Sequence, residues 1–392
     1  MSPQVVIRRF EVHGAERDLD AIRDALSTTA SLFTERGQLK VDITRHRSPV
    51  ASVQLTGIGP AVSAVRASIA TTSGVRVVND WLDAPAAPEP GELYVYPDQR
   101  ALQRIEAGDC IGDEAGSGKR VIVAIIDSGI TIDHPDLAEH LWTDERDPRV
   151  HGARFMDGQQ DSDVTDQDGH GTMLAGTILA TANRVRGLEL MAVKFFDVTT
   201  QPSAANAAAA IRFVASRRPA VINLSFDLGI GSSDLGDAIR AACASGALIV
   251  IAAGNTGSNN DKYPLVPACY ADECRDQAIV VMATDWYDRK PIFSNFGGAS
   301  VDLAAPGVGI VSTRAPIARG PEARQYGRYS GTSAAAAHVS GAAALLKSQD
   351  PRRTPQEIKR LLMDSVDQSP WLTCASSGRL NLSRAVSPER VS

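Results

Sequence analysis

From residue 119 onward the chain alternates short, nearly uninterrupted apolar runs with longer stretches of helical spacing. The apolar runs are 121–126, 191–196, 221–224, 248–253 and 279–283; the helical stretches are 171–182, 204–216, 233–245, 333–347 and 355–365. A strand that is apolar at successive positions, rather than at alternate ones, is buried on both faces. Strands of that kind separated by helices form a mainly parallel sheet with helices covering it on both sides. The pattern therefore predicts an α/β domain over 119–392. In such a sheet the functional groups gather at the carboxyl ends of the strands.

The first 82 residues follow a different pattern. Strand-like segments begin at Val5, Leu39, Ala51 and Val75. Leu19, Ile22 and Leu26 share one helical face, and Val62, Val65 and Ile69 share another after Pro60. The order β-α-β-β-α-β is that of a small α+β, ferredoxin-like domain. Residues 83–93, DAPAAPEPGEL, are proline-rich and extended. Three parts are expected: an α+β domain at 1–82, a linker at 83–118 and the α/β domain at 119–392.

Composition excludes several classes. The 392 residues carry a formal charge of −6, with 43% hydrophobic and 22% charged residues. Nothing in that balance draws the chain to nucleic acid or an anionic membrane. No apolar run reaches membrane-spanning length, and the start, MSPQVVIRRFEVHG, lacks the apolar core of a secretory signal, so a cytoplasmic location is expected. The five cysteines are odd in number and form no CxxC pair, which favours reduced thiols; Cys269 and Cys274 are near enough in sequence to close a loop if oxidised. The run of Asp161, Asp163, Asp166 and Asp168 lacks calcium-loop spacing and reads as a solvated polar loop. Gly229, Gly231 and Gly236 have the wrong spacing for a dinucleotide fingerprint. No metal and no cofactor is expected.

Four polar residues sit where this architecture places chemistry. Asp127 ends the run VIVAII; His170 lies in DQDGHGTMLAGT; Asn255 follows a buried strand in IAAGNTG; Ser333 lies in GTSAAAAHVSG. Singly each has an ordinary reading: a turn carboxylate, a helix-start histidine, an Asx-turn, a helix N-cap. Together they form a reacting set. A serine hydroxyl needs an adjacent base. The base needs a carboxylate to fix its tautomer and stabilise its protonated form. The oxyanion that follows attack needs fixed donors, and a side-chain amide supplies one.

The order Asp–His–Ser, with AIIDSGI and DHPDL, DGHGT and AGT, VINLS, AAGN, FSNFG, LAAPG and GTSAAAAHVSG, resembles the subtilisin family of serine peptidases across about 119–385. The resemblance implies a three-layer subtilisin-like fold and an endopeptidase acting on protein or peptide substrates through an acyl-enzyme. It assigns Asp127 as orienter, His170 as general base and acid, Ser333 as nucleophile and Asn255 as oxyanion donor. It further implies that Ser225, Phe226 and Asp227, with Ala252, Ala253 and Gly254, line the bound substrate, which is held as an added strand. The chain departs from the family at Ala334, where methionine is usual, at Ala337, where proline is usual, and at Asp227, where glycine is usual. The element order of 1–82 resembles the family's inhibitory propeptides, so this unit is expected to be an intramolecular inhibitor or a retained regulatory domain. Two other outcomes fit the same residues: a peptide-binding pseudo-protease and a peptide acyl transferase or cyclase.

Overall fold

A computed structural model describes residues 5–13, 39–45, 50–58, 76–82, 100–107, 118–182, 185–228, 231–315 and 325–387. The chain divides into two compact units, residues 1–87 with 327–330 and residues 88–326 with 331–392.

The first unit contains a four-stranded sheet of β1 (Val5–His13), β2 (Leu39–Arg45), β3 (Val50–Ile58) and β4 (Arg76–Leu82), in the order β2-β3-β1-β4. All neighbouring strands are antiparallel: β1 runs from Val5 opposite Ile58 to His13 opposite Val50, and its pairing with β4 shifts register between Arg9 and Glu11. Strands adjacent in sequence across the first connection are separated in the sheet by β3, which is the split arrangement expected of β-α-β-β-α-β. The two helical stretches expected between these strands lie outside the described residues.

The second unit is built on a ten-stranded sheet. Its parallel centre contains β5 (Val121–Asp127), β6 (Gly152–Met156), β8 (Leu188–Lys194), β9 (Val221–Leu224), β10 (Leu248–Ala252), β11 (Ala278–Thr284) and β12 (Leu303–Pro306), in the order β12-β11-β10-β9-β5-β8-β6. The short β7 (Gln159–Asp161) runs antiparallel on β6 at one edge; β16 (Gly378–Arg379) and β15 (Asp367–Gln368) complete the other. This unit also contains β13 (Ile310–Thr313), while β14 (Tyr326–Tyr329) falls, from residue 327, in the first unit. Every residue of β9, β10 and β11 is buried, as the uninterrupted apolar runs require.

Helices cover both faces. On one face α3 (Ala204–Arg217) and α4 (Ser233–Ala244) contribute Ile211, Val214, Leu235 and Ile239 to a core with Ile222, Leu224, Ile249, Ile251 and Met282. Each such side chain, fully buried, contributes about 1.5–3 kcal/mol. The opposite face carries α2 (His170–Thr181) and α5 (Thr332–Gln349), and α5 packs along α2 and across β9, β10, β11 and β12. The alanines of α5 suit that position, since small side chains let a helix lie close to a sheet. Ser203 and Ser232 cap α3 and α4, and Thr354 with Glu357 forms a capping box at the start of α6 (Pro355–Asp364). Among the described residues no helix is long and apolar enough to cross a membrane.

Part of the stretch read as linker belongs to this second unit. Arg100–Arg104 forms a short helix, α1, followed by Ile105, which is fully buried. The Ile105 carbonyl accepts from Leu382 N at 2.7 Å, at the start of α7 (Leu382–Val386). The Arg104 guanidinium pairs with Asp288, which also binds the buried Arg379 at 2.8 Å. Polar residues around 94–118 hid this anchoring from a composition-based reading.

The cysteines also differ from expectation. Cys243 of α4 is bonded to Cys274, across 31 positions, while Cys269 and Cys374 are free thiols. Cys274 thus pairs with a distant partner rather than with Cys269. The cross-link ties α4 to the turn Ala268–Cys274, where Tyr270 also donates to Ser232 O at 3.0 Å.

Candidate active site

β5 lies where the strand order reverses: the chain goes from β5 to β6 and β8 on one side, then to β9 on the other. The carboxyl end of β5 is therefore a switch-point crevice. Asp127, its last residue, is fully buried, and its Oδ1 accepts from Ser128 N and His170 Nδ1, both at 2.8 Å. His170 is the first residue of α2, after Gly169 at φ +95°, and its side chain is 24% exposed. With Nδ1 donating to a carboxylate, Nε2 is the basic nitrogen of the neutral ring.

A buried network sets the distance between Asp127 and His170. Asp166 accepts from Asp168 N (3.0 Å), Gly169 N (2.8 Å), Thr172 N (2.9 Å) and Thr172 Oγ1 (2.6 Å), so one carboxylate holds the start of α2. Burial, with Asp168 nearby, raises the Asp166 carboxyl above its usual range, and these hydrogen bonds oppose the rise. Thr172 Oγ1 in turn accepts from Thr131 N at 3.0 Å, and Gly171 N donates to Ser128 Oγ at 2.9 Å. A Cβ at Gly171 would lie 2.1 Å from Gly129 O, so only glycine permits this approach. The aspartate run is thus not a uniformly solvated loop. Asp161 and Asp163 are exposed, but Asp166 and Asp168 are buried. Among the described residues no group of His, Cys, Asp or Glu is arranged to hold a metal ion.

Ser333 is the second residue of α5, 6% exposed, with its Oγ 3.3 Å from Ser225 O. Ser225 Oγ donates to Asn223 Oδ1 at 2.9 Å, and Asn223 Nδ2 to Ser340 Oγ at 3.0 Å, so β9 and α5 are locked together beside the hydroxyl. Asn255 Oδ1 accepts from Thr332 N (2.8 Å) and lies 3.1 Å from Thr332 Oγ1. That bonding fixes the amide orientation and leaves Nδ2 as the outward donor. A methyl group built at Gly331 would sit 3.6 Å from Asn255 Nδ2 and 3.7 Å from Ser333 N. The two donors therefore border one small space. Gly331 has no side chain to cap α5; Asn255 Oδ1 takes the Thr332 N–H instead, and Ser333 N follows in the first turn at the positive end of this 18-residue helix.

The segments expected to line a substrate lie beside this space. Ser225 presents its carbonyl to Ser333, and Leu228 pairs by its backbone with Val266. Phe226 packs on Phe195, ring centres 4.6 Å apart, and Ala252 and Ala253 are buried. Asp227, by contrast, is exposed. Thr332 and Asn295, the residues that hold Asn255 and its loop, had no separate sequence signal beyond lying inside GTSAAAAHVSG and FSNFG.

His338 lies on the same helix as Ser333, 2% exposed, with Nδ1 2.8 Å from Thr181 Oγ1. Thr181 Oγ1 donates to Thr177 O, so it accepts the Nδ1 proton of His338. Burial lowers the imidazole from 6.5 to about 3. The folded chain keeps this ring neutral while the unfolded chain protonates it below its ordinary value. Its contribution is complete above pH 6.5 and shrinks as pH falls towards 3, at about 1.4 kcal/mol per unit. Urea unfolding at pH 6.5 and pH 5 should show His338→Gln escaping about 2 kcal/mol of the wild-type loss; equal losses would mean that His338 titrates normally.

The chain matches the subtilase family over residues 118–385. It is 33% identical to thermitase of Thermoactinomyces vulgaris over 305 residues, covering 76% of this chain and 99% of that protein. It is 33% identical to subtilisin Savinase of Lederbergia lenta, covering 69% of this chain and 91% of the relative. Among solved structures, a protease from Pseudoalteromonas arctica superposes with a TM-score of 0.60 at 26% identity, covering 78% of this chain and 99% of the other. The chain belongs to the subtilase family, and it is a subtilisin-like serine peptidase, a hydrolase of the endopeptidase kind.

Proposed function

We propose that Asp127, His170, Ser333 and Asn255 carry out peptide-bond hydrolysis through an acyl-enzyme. Ser333 Oγ attacks the scissile carbonyl while His170 takes the hydroxyl proton on Nε2. The tetrahedral oxyanion settles in the space bordered by Asn255 Nδ2 and Ser333 N. His170, protonated and stabilised by Asp127, gives its proton to the leaving amine, and water repeats the sequence to release the acid. The observation that carries this reading is the 2.8 Å hydrogen bond from His170 to the buried end of β5, with the first turn of α5 carrying the Ser333 hydroxyl and N–H beside Asn255.

The N-terminal unit, on this reading, is an intramolecular inhibitor of the same site. Its β-α-β-β-α-β order and the strand order β2-β3-β1-β4 support that assignment. If the unit is released by cleavage, the cut falls within 83–99, because α1 and Ile105 belong to the catalytic unit. A tether holds such a unit at a local concentration on the order of millimolar. Cutting the intact chain at a protease site introduced within 83–99, then diluting it, should raise peptidase activity and fluorophosphonate labelling by about tenfold or more. Unchanged rates after complete cleavage and dilution would assign the unit to another role.

A further inference from the structure

We propose that Asn295 is a positioning residue for the oxyanion site: it fixes the loop that carries Asn255, and turnover depends on it through Asn255. The inference rests on the reading of Asn255 as an oxyanion donor.

Asn255 touches Thr332 through its side chain, but the main chain that aims it is held elsewhere. Asn295 is 1% exposed. Its Oδ1 accepts from Thr256 N and Ser258 N, both at 3.0 Å, and lies 2.9 Å from Thr256 Oγ1. Its own N–H donates to Gly254 O at 2.9 Å. The residues on either side of Asn255 are thus both bound to this one residue.

The other end of the amide closes the loop from behind. Asn295 Nδ2 donates to Asn260 Oδ1 at 3.0 Å, and Asn260 Nδ2 donates to Ala253 O at 2.8 Å. Main-chain bonds run alongside, from Gly257 N to Phe293 O (2.7 Å), Phe296 N to Ser258 O (3.1 Å) and Asn260 N to Phe296 O (2.7 Å). Gly254 adopts φ +106°, and a Cβ there would lie 2.6 Å from Asn295 Nδ2, so loop and amide meet without spare room. Asparagine fits because one end must accept from several donors while the other donates. Aspartate keeps only the first function, and alanine keeps neither.

Oxyanion donors act by being in place before charge develops, and a misplacement of about 1 Å costs on the order of 10²-fold. Asn295 touches neither substrate nor nucleophile, so its loss should register in turnover and only while Asn255 is present. The test is a double-mutant cycle on the intact chain with a chromogenic peptide substrate, reading kcat and KM separately. Asn255→Ala should lower kcat by about 10²–10³ with KM little changed. Asn295→Ala should lower kcat by about 10–100-fold at similar KM, yet by less than about threefold when Asn255 is already alanine. An equal loss in both backgrounds, or no loss at all, would overturn the proposal. If Asn295→Ala gives no cooperatively folded protein, Asn295→Ser carries the same cycle with the same outcomes. An unchanged kcat in Asn255→Ala would instead overturn the assignment of Asn255, a result separable from the other two.

Discussion

Replacing Ser333 with alanine should remove turnover by about 10⁶-fold, the scale for losing the nucleophile in a triad hydrolase, and abolish labelling by a serine-directed fluorophosphonate. The fold should survive the change. Ser333 Oγ makes one 3.3 Å contact, to Ser225 O, and its neighbours Ala334, Ala335 and Ala336 are already packed as alanines. Deleting one weakly bonded hydroxyl costs at most about 1 kcal/mol, so the melting temperature should move by only a few degrees. Activity of the variant within tenfold of wild type would mean that another group attacks the substrate. Labelling that persists with its usual rate would point to a different reactive serine.

The second large effect is expected at Asp127. In Asp127→Asn the side-chain oxygen can stay where Oδ1 is, still accepting from Ser128 N and His170 Nδ1. The negative charge beside the imidazolium is then gone. Alternatively the amide turns over, and its NH₂ faces Nδ1, forcing the ring's proton onto the nitrogen that should receive one from Ser333. Either arrangement slows the chemical step, and kcat should fall by about 10⁴-fold with KM near its wild-type value. Fluorophosphonate labelling should slow in parallel, because it needs the same base. A loss below tenfold would show that His170 does not depend on this carboxylate.

Much of the placement of the four candidate residues was legible because they sit at the ends of local patterns. The run 121–126 is buried on both faces, so a carboxylate at its end must lie in the switch-point crevice, and Asp127 does. Helix α2 begins at His170 and α5 at Thr332, within a residue of the boundaries that Gly169 and Gly331 signalled. What sequence patterns did not convey were relations between distant segments. The burial of Asp166 and Asp168 depends on how α2 meets the turn after β5, and an aspartate run looks the same whether water or Thr172 binds it. Strands β6, β7, β15 and β16 lie at the sheet edges, and β7, β15 and β16 are too short for a periodic signal. Cys243 and Cys274 are 31 positions apart, and spacing alone favoured the nearer Cys269. Asn295 looked like one polar letter of a motif until its amide was seen gathering three donors from another loop.

The Cys243–Cys274 bond encloses the loop that bears Asn255, along with the outward-facing Tyr263. A protease is exposed to attack by its own sister molecules, and that surface stretch is a natural place to be nicked. A chain cut once between the two sulfurs still runs as one band on a non-reducing gel and falls into two fragments only when a reductant is added. Preparations judged intact without reduction will therefore overstate the share of molecules whose loop around Asn255 is whole.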